Sequence, residues 1–190
     1  MKKRIITIVK LLVCGLVVFG IVCMFRENTY IPYDVIEKCF YELDTTYDEM
    51  LAVGSPEIIQ NAFKEKCSEA YQERKEFIDS RNSFYNCTTE IRNIEINDFA
   101  FGRANEREKS YKEQYGININ VKRESRYKVT VEYRRFYQLR GENPLYSDPT
   151  PYMNRDECYL YNGKWSPWQT ETRWVTVYKV KNKWYAYFCD

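Results

Sequence analysis

Hydropathy patterning along the chain predicts an α+β protein: an N-terminal transmembrane helix, then a helical hairpin packed on a curved antiparallel sheet of four to six strands. Three observations carry this. Ile5 to Phe25 is an apolar run of 21 residues interrupted by a single charge, Lys10. Between Asp34 and Phe77 apolar residues recur every three to four positions, the spacing of one helix face. From Cys87 onward the period falls to two, the alternation of a half-buried strand. With 44% hydrophobic and 17% aromatic residues, 18 of them Tyr, the body is rich enough in apolar surface to fold.

The apolar run is long enough to cross the roughly 30 Å core of a bilayer. The stem of Lys10 can carry its ammonium back to the headgroups. Lys2, Lys3 and Arg4 precede the run, so the excess of basic residues places the N-terminus in the cytoplasm. This predicts a cytoplasmic tail over 1–4, a transmembrane signal anchor over 5–25, a linker over 26–33 and an extracytoplasmic α+β domain over 34–190 at the plasma membrane. A cleaved leader or a lipidated Cys14 or Cys23 fits less well, because a cleavage site wants small residues and valine precedes both cysteines.

In the body, the apolar positions Ile36, Phe40, Leu43, Tyr47 and Leu51 predict a first helix ending at Val53-Gly54. Ser55 offers an N-cap and Pro56 a first helical position for a second helix, with Ile59, Phe63, Cys67, Ala70 and Phe77 on its apolar side. The short turn folds the two into an antiparallel hairpin, closed by the polar stretch Asp79 to Asn86. Ile94 and Ile96, then Phe99 and Phe101, alternate with polar neighbours, and the phase slip at Asn97-Asp98 predicts a bulge. Ala104 to Gln114 reads as a charged loop or short helix. Ile117 to Tyr137 keeps one parity, as a hairpin turning at Lys122 to Arg126 or as one long strand. Gly141 to Tyr152, with Pro144, Pro149 and Pro151, is a loop, since proline cannot donate to a ladder. Asn162-Gly163 predicts a tight hairpin between Glu157 to Tyr161 and the residues from Lys164. The last two strands are Thr172 to Val180 and Trp184 to Cys189, turning at Lys181-Asn182-Lys183.

The final hairpin, Trp174 to Tyr187, resembles the alternating valine strand, Lys/Asn turn and Trp-aromatic strand of the nuclear-transport-factor-two-like, cystatin-like cone fold of anchored bacterial extracytoplasmic proteins. The order of elements extends the likeness over Asp34 to Asp190. The resemblance implies a cone with an apolar pocket between sheet and helices. It implies no activity, because that fold hosts isomerases, dehydratases, binding modules and scaffolds.

The absence of histidine removes the commonest general base, the Ser-His and Cys-His nucleophiles and every imidazole-bound zinc site. Beyond residue 25 the body carries 25 basic and 27 acidic residues, a balance that gives no reason to expect a nucleic-acid partner. The charge is unevenly spread: 12 acidic and 5 basic residues over Asp34 to Asp79, against 11 basic and 5 acidic over Arg103 to Arg140. Either the halves compensate each other, or a basic, Tyr-rich surface meets an anionic partner such as lipid headgroups or a cell-wall polymer.

Five cysteines lie beyond the apolar run: Cys39, Cys67, Cys87, Cys158 and Cys189. Cys39 and Cys67 are centred on Val53 and would stand at equal height on facing helices, which makes them the candidate disulfide; two buried thiols are the other reading. An isomerase-type site would need a carboxylate of raised pKa facing a Tyr hydroxyl. Glu95, Asp98, Glu132, Tyr127 and Tyr133 lie on predicted strands, but no spacing picks them out, so no catalytic residue, cofactor site or metal site is expected. Tyr127, Tyr133, Trp174 and Trp184 read as packing residues. Asn86-Cys87-Thr88 matches a short glycosylation pattern.

The leading expectation is therefore a single-pass membrane protein whose non-catalytic cone-fold domain binds a protein or small ligand at the cell envelope. Its partners would be the lipid bilayer through Ile5 to Phe25 and an envelope protein or anionic surface. One alternative is an assembly factor of a secretion or conjugation machine, whose short tail, single membrane helix and outer domain the topology resembles. A second is an isomerase-like enzyme with a carboxylate and Tyr pocket.

Overall fold

The computed structural model describes residues 17–19, 30–42, 44–140 and 155–189. The chain divides into two compact units, Met1–Pro32 and Tyr33–Asp190. Of the predicted anchor only Val17, Val18 and Phe19 are described, helical and exposed. Its other residues, like the Pro-rich loop from Gly141, lie outside the described residues. Among the described residues no helix is long and apolar enough to cross a membrane.

The body is α+β, a curled four-stranded antiparallel sheet with helices. Its first predicted helix is two: α1, Tyr33–Cys39, and α2, Tyr47–Gly54. The break has a local cause. Thr46 caps α2 by accepting from the Glu49 N–H, while the Glu49 carboxylate accepts from the Thr46 N–H. This capping box starts a new helix inside the apolar repeat. The second predicted helix also divides, into α3, Glu57–Lys66, and α4, Ser68–Phe84, parted at Cys67, whose φ of −120° and ψ of 40° leave the helical region. Pro56 is the N-cap of α3, and Ser55 closes α2 instead, its Oγ donating to the Leu51 carbonyl. The two-helix hairpin is thus replaced by four shorter helices.

Helix α4 runs directly into β1, Tyr85–Phe101, so the expected polar closure at Asp79 to Asn86 is helix and strand. Strand β1 pairs with β2, Val121–Leu139, from Tyr85 opposite Leu139 to Phe101 opposite Ser125, with irregularities between Arg92 and Glu95 and between Ile96 and Asp98. The second is the bulge expected at Asn97-Asp98. Helix α5, Ala104–Tyr115, forms the connection, ended by Gly116 at φ 69°. Val121 to Leu139 is one strand without a turn at 122–126.

Helix α6, Arg155–Leu160, takes up most of what was expected to be the first strand of an Asn-Gly hairpin. Gly163 does adopt a φ of 74°, but the turn serves a different purpose. Beyond Tyr133, β2 loses its third-strand neighbour, and the 162–166 segment takes over the vacant edge. There the Gly163 N–H donates to the Tyr137 carbonyl, Asn162 Oδ1 accepts from the Leu139 N–H, and the Ser166 N–H donates to the Arg135 carbonyl. Strands β3, Gln169–Val180, and β4, Lys183–Phe188, form the expected last hairpin, with Lys181 at φ 55° in its turn. The strand order is β1-β2-β3-β4.

The core lies between sheet and helices. Ile36 of α1, Ile78 of α4, Val129 and Val131 of β2, and Val175 and Val177 of β3 are almost wholly removed from water. Phe40 meets Phe188 edge to face at 5.1 Å. Helices α1 and α2 pack on β4, which places them beside the β3–β4 turn.

Candidate functional site

A groove of about 750 Å3 runs between α1–α2 and the β3–β4 turn, lined on the helix side by Asp34, Lys38, Tyr41 and Asp44 and on the strand side by Lys183 and Trp184. A recess of about 100 Å3 continues from it along β4, reaching Cys39, Glu42, Met50 and Phe188. Lys38, Thr45 and Val53 line both. The helix break borders this groove: between the end of α1 at Cys39 and the start of α2 at Tyr47, Tyr41, Asp44 and Thr45 line it.

Asp44 anchors that turn. Its Oδ2 accepts from the Thr89 N–H of β1 at 2.6 Å. Burial raises its carboxyl pKa above the ordinary carboxylate value, and the Thr89 N–H draws it partly back. Tyr41 donates to Glu37 Oε1 at 3.0 Å, and partial burial together with that carboxylate pushes its hydroxyl up to about 12. Glu42 faces Arg74 at 3.9 Å and Arg173 at 3.8 Å. Cys39 donates to the Val35 carbonyl at 3.6 Å, and burial, then Glu42, push its thiol up to about 12. It is therefore a protonated, weakly nucleophilic group at neutral pH. The groove thus combines apolar residues such as Val35, Ala52 and Val53 with charged and hydroxyl-bearing walls.

Two clusters deeper in the body are closed. At one end, Arg107 of α5 bonds Glu124 Oε2 at 2.5 Å and also bonds the Tyr187 hydroxyl, while its guanidinium lies 4.3 Å from the centre of the Tyr178 ring. Although burial disfavours its charge, Glu124 and Tyr187 hold it protonated. The Tyr111 and Tyr178 hydroxyls share a hydrogen bond of 2.8 Å, and Tyr178 donates to the Gly54 carbonyl at 2.7 Å. At the other end, Glu157 accepts from Tyr137 at 3.1 Å and from Gln169 at 2.6 Å, and Tyr133 donates to Gln169 Oε1 at 2.9 Å. Burial pushes the Tyr137 and Tyr178 hydroxyls far above their ordinary value.

The strand residues weighed from the sequence for an isomerase site are not brought together. Glu95 and Asp98 are exposed, and Asp98 Oδ1 accepts from the Phe99 N–H. Glu132 pairs with Arg92 at 2.8 Å, and that pairing, with Asn93, lowers its pKa, the reverse of what a proton acceptor held neutral requires. Tyr127 is buried against Phe99, and Tyr133 belongs to the Glu157 cluster. Trp174 and Trp184 lie under arginines, Arg126 at 5.9 Å and Arg123 at 5.7 Å. Cys39 and Cys67 are free thiols, as are Cys87, Cys158 and Cys189. Among the described residues no group of three or more Cys, Asp and Glu could hold a metal ion.

Several of the basic residues over Arg103 to Arg140 are paired locally, and of the following three pairs only that of Arg134 uses an acid outside the span. Arg107 pairs with Glu124, Arg134 with Glu90 at 2.6 Å, and Arg103 with Glu106 at 2.9 Å. Asp44 and the helix-break residues are what sequence reasoning missed; Thr46-Tyr47-Asp48-Glu49, a capping-box pattern, was the signal that marked them.

Fold and groove together define an α+β body with an antiparallel meander and a solvent-open groove at its helical edge. No protein-family model, curated protein or solved structure matches the chain.

Proposed function

We propose that the chain is a single-pass membrane protein, N-terminus in the cytoplasm, whose body lies outside and binds a protein or small ligand at the cell envelope without chemically changing it. The observation that carries the binding role is the groove beside α1–α2, open to solvent and walled by Asp34, Lys38, Tyr41 and Lys183. The anchor rests on the sequence: three basic residues, then the apolar run Ile5 to Phe25. An isomerase-like role is weakened on two counts. The interior hydroxyls of Tyr133, Tyr137 and Tyr178 are already bonded within the body, and the burial-shifted carboxylate, Asp44, has an oxygen committed to the Thr89 N–H.

The test is site-specific photo-crosslinking in cells that make the protein, with benzoylphenylalanine replacing Tyr41 in the groove or Lys128 on the outer sheet face. An adduct formed from position 41 and absent from position 128 supports the reading, and its identity shows whether the partner belongs to a secretion or conjugation machine. Equal adducts from both positions, or none from 41, contradict it. Mass spectrometry of the membrane-extracted protein tests the anchor: an intact Met1-Lys2-Lys3 terminus is expected, and a terminus at or after Cys23 would overturn it.

A further inference from the structure

The β3–β4 turn concentrates positive charge. Between Glu171 and Asp190 the chain carries Arg173, Lys179, Lys181 and Lys183 and no acidic residue. Register brings further cations to the same end: Arg123 stands opposite Lys179, Lys179 opposite Trp184, and Val180 opposite Lys183, with Lys122 at the adjoining irregularity of β2. The next acid on β2, Glu124, is consumed by Arg107. None of Lys122, Lys179, Lys181 and Lys183 has a salt-bridge partner among the described residues. At the centre of the group is the half-buried indole of Trp184, with the Arg123 guanidinium 5.7 Å and the Lys179 ammonium 5.5 Å from its ring centre. A Trp ringed by long-stemmed cations matches the chemistry of a bilayer interface, where the indole sits at headgroup level and the cations reach phosphates.

The position of this end within the body supplies the second argument. Asn182, Lys183 and Trp184 share the groove with Asp34, Val35 and Lys38, so the turn lies beside the first helical turn of the body. Only seven residues, Arg26 to Pro32, separate the apolar run from Tyr33. Fully extended they reach about 25 Å. That length is the most the chain allows between the apolar run and the start of α1. The acids of the groove, Asp34, Asp44 and Glu49, are on its helix wall, and Lys183 stands on the turn side.

We propose that the β3–β4 turn, through Lys179, Lys181, Lys183, Trp184 and Arg123, docks on the anionic headgroups of the bilayer. This rests on the membrane-anchored reading above.

The experiment places the full chain in nanodiscs of phosphatidylcholine, with or without roughly a third phosphatidylglycerol, and follows lysine acetylation by mass spectrometry. Lys181 and Lys183 should be acetylated about threefold or more slowly in the anionic discs, and about 0.5 M salt should abolish the difference. Lys128, on the outer sheet face, should react equally in both. In a K181N/K183E variant, whose Asn tolerates the positive φ of the turn, Lys179 should lose its protection. Equal rates for Lys181 and Lys183 in the two discs would overturn the docking while leaving the anchor intact. A chain released from its native membranes by alkaline carbonate would overturn the anchor and, with it, the docking.

Discussion

The Arg107 cluster and the α1–α2 groove are made from the same materials, tyrosines, carboxylates and a cation, yet they serve opposite ends. Around Arg107 the Tyr187 hydroxyl and the Glu124 carboxylate bond the guanidinium, and the Tyr111 and Tyr178 hydroxyls bond each other, Tyr178 bonding the Gly54 carbonyl as well. The cluster holds α5 and the end of α2 to the sheet. In the groove Tyr41, Asp34 and Lys38 stand around open space, and only Asp44 is committed across to the sheet. The two sites differ in how far their polar groups are committed to the sheet, not in the identity of those groups.

The contrast is broken most severely at the closed end. Arg107→Met leaves Glu124, whose side chain is only 10% exposed, as a buried charge without its partner. Urea unfolding should show a loss of about 3–5 kcal/mol, largely recovered when Glu124→Gln is added. A loss below about 1 kcal/mol would mean the pair is effectively solvated. Tyr178→Phe should cost about 1–3 kcal/mol, since Tyr111 and the Gly54 carbonyl each lose a partner.

At the groove the effects are smaller and more selective. Asp44→Asn keeps an acceptor for the Thr89 N–H while removing a charge that burial disfavours, so stability at neutral pH should hold or rise slightly. Asp44→Ala should lose about 1–2 kcal/mol and loosen α1 and α2 in hydrogen exchange. The sign of the pH dependence follows from the raised pKa: the protonated folded state is favoured, so the contribution of Asp44 is present at low pH and is lost as pH rises through its folded pKa. Asp48 behaves oppositely. Lys64 at 2.5 Å and the Tyr71 hydroxyl at 2.9 Å lower its pKa, so its contribution is present above the ordinary Asp value and lost as pH falls through the folded one. Because both partners are well exposed, Asp48→Asn should change the acid limb of thermal unfolding only slightly and in that direction.

The parts of the fold legible in the sequence are those with local causes. The β3–β4 hairpin, the bulge at Asn97-Asp98 and the strand identity of Val121 to Leu139 follow from alternation and turn chemistry within a dozen residues. The helix breaks were less legible because the apolar repeat passes over Asp44 to Thr46 without a phase change; only the cap identifies the restart. Asn162-Gly163 misleads for a related reason. Its left-handed glycine is real, but the edge it supplies belongs to β2, and no local pattern announces a vacancy there. The groove and the Arg107 cluster were out of reach altogether, since Asp44 meets Thr89 across 45 positions and Arg107 meets Tyr187 across 80. Such pairings depend on how strands and helices stack, which hydropathy does not encode.

The most direct measurement is amide hydrogen exchange of α1 and α2 in membranes of the organism that makes the protein, compared with the purified full chain in phosphatidylcholine nanodiscs. A groove occupied in its native setting predicts slower exchange over Tyr33–Cys39 and Tyr47–Gly54 in the native membranes, with the Arg107 cluster equally protected in both. Identical exchange over α1 and α2 in the two settings would contradict a binding role for the groove.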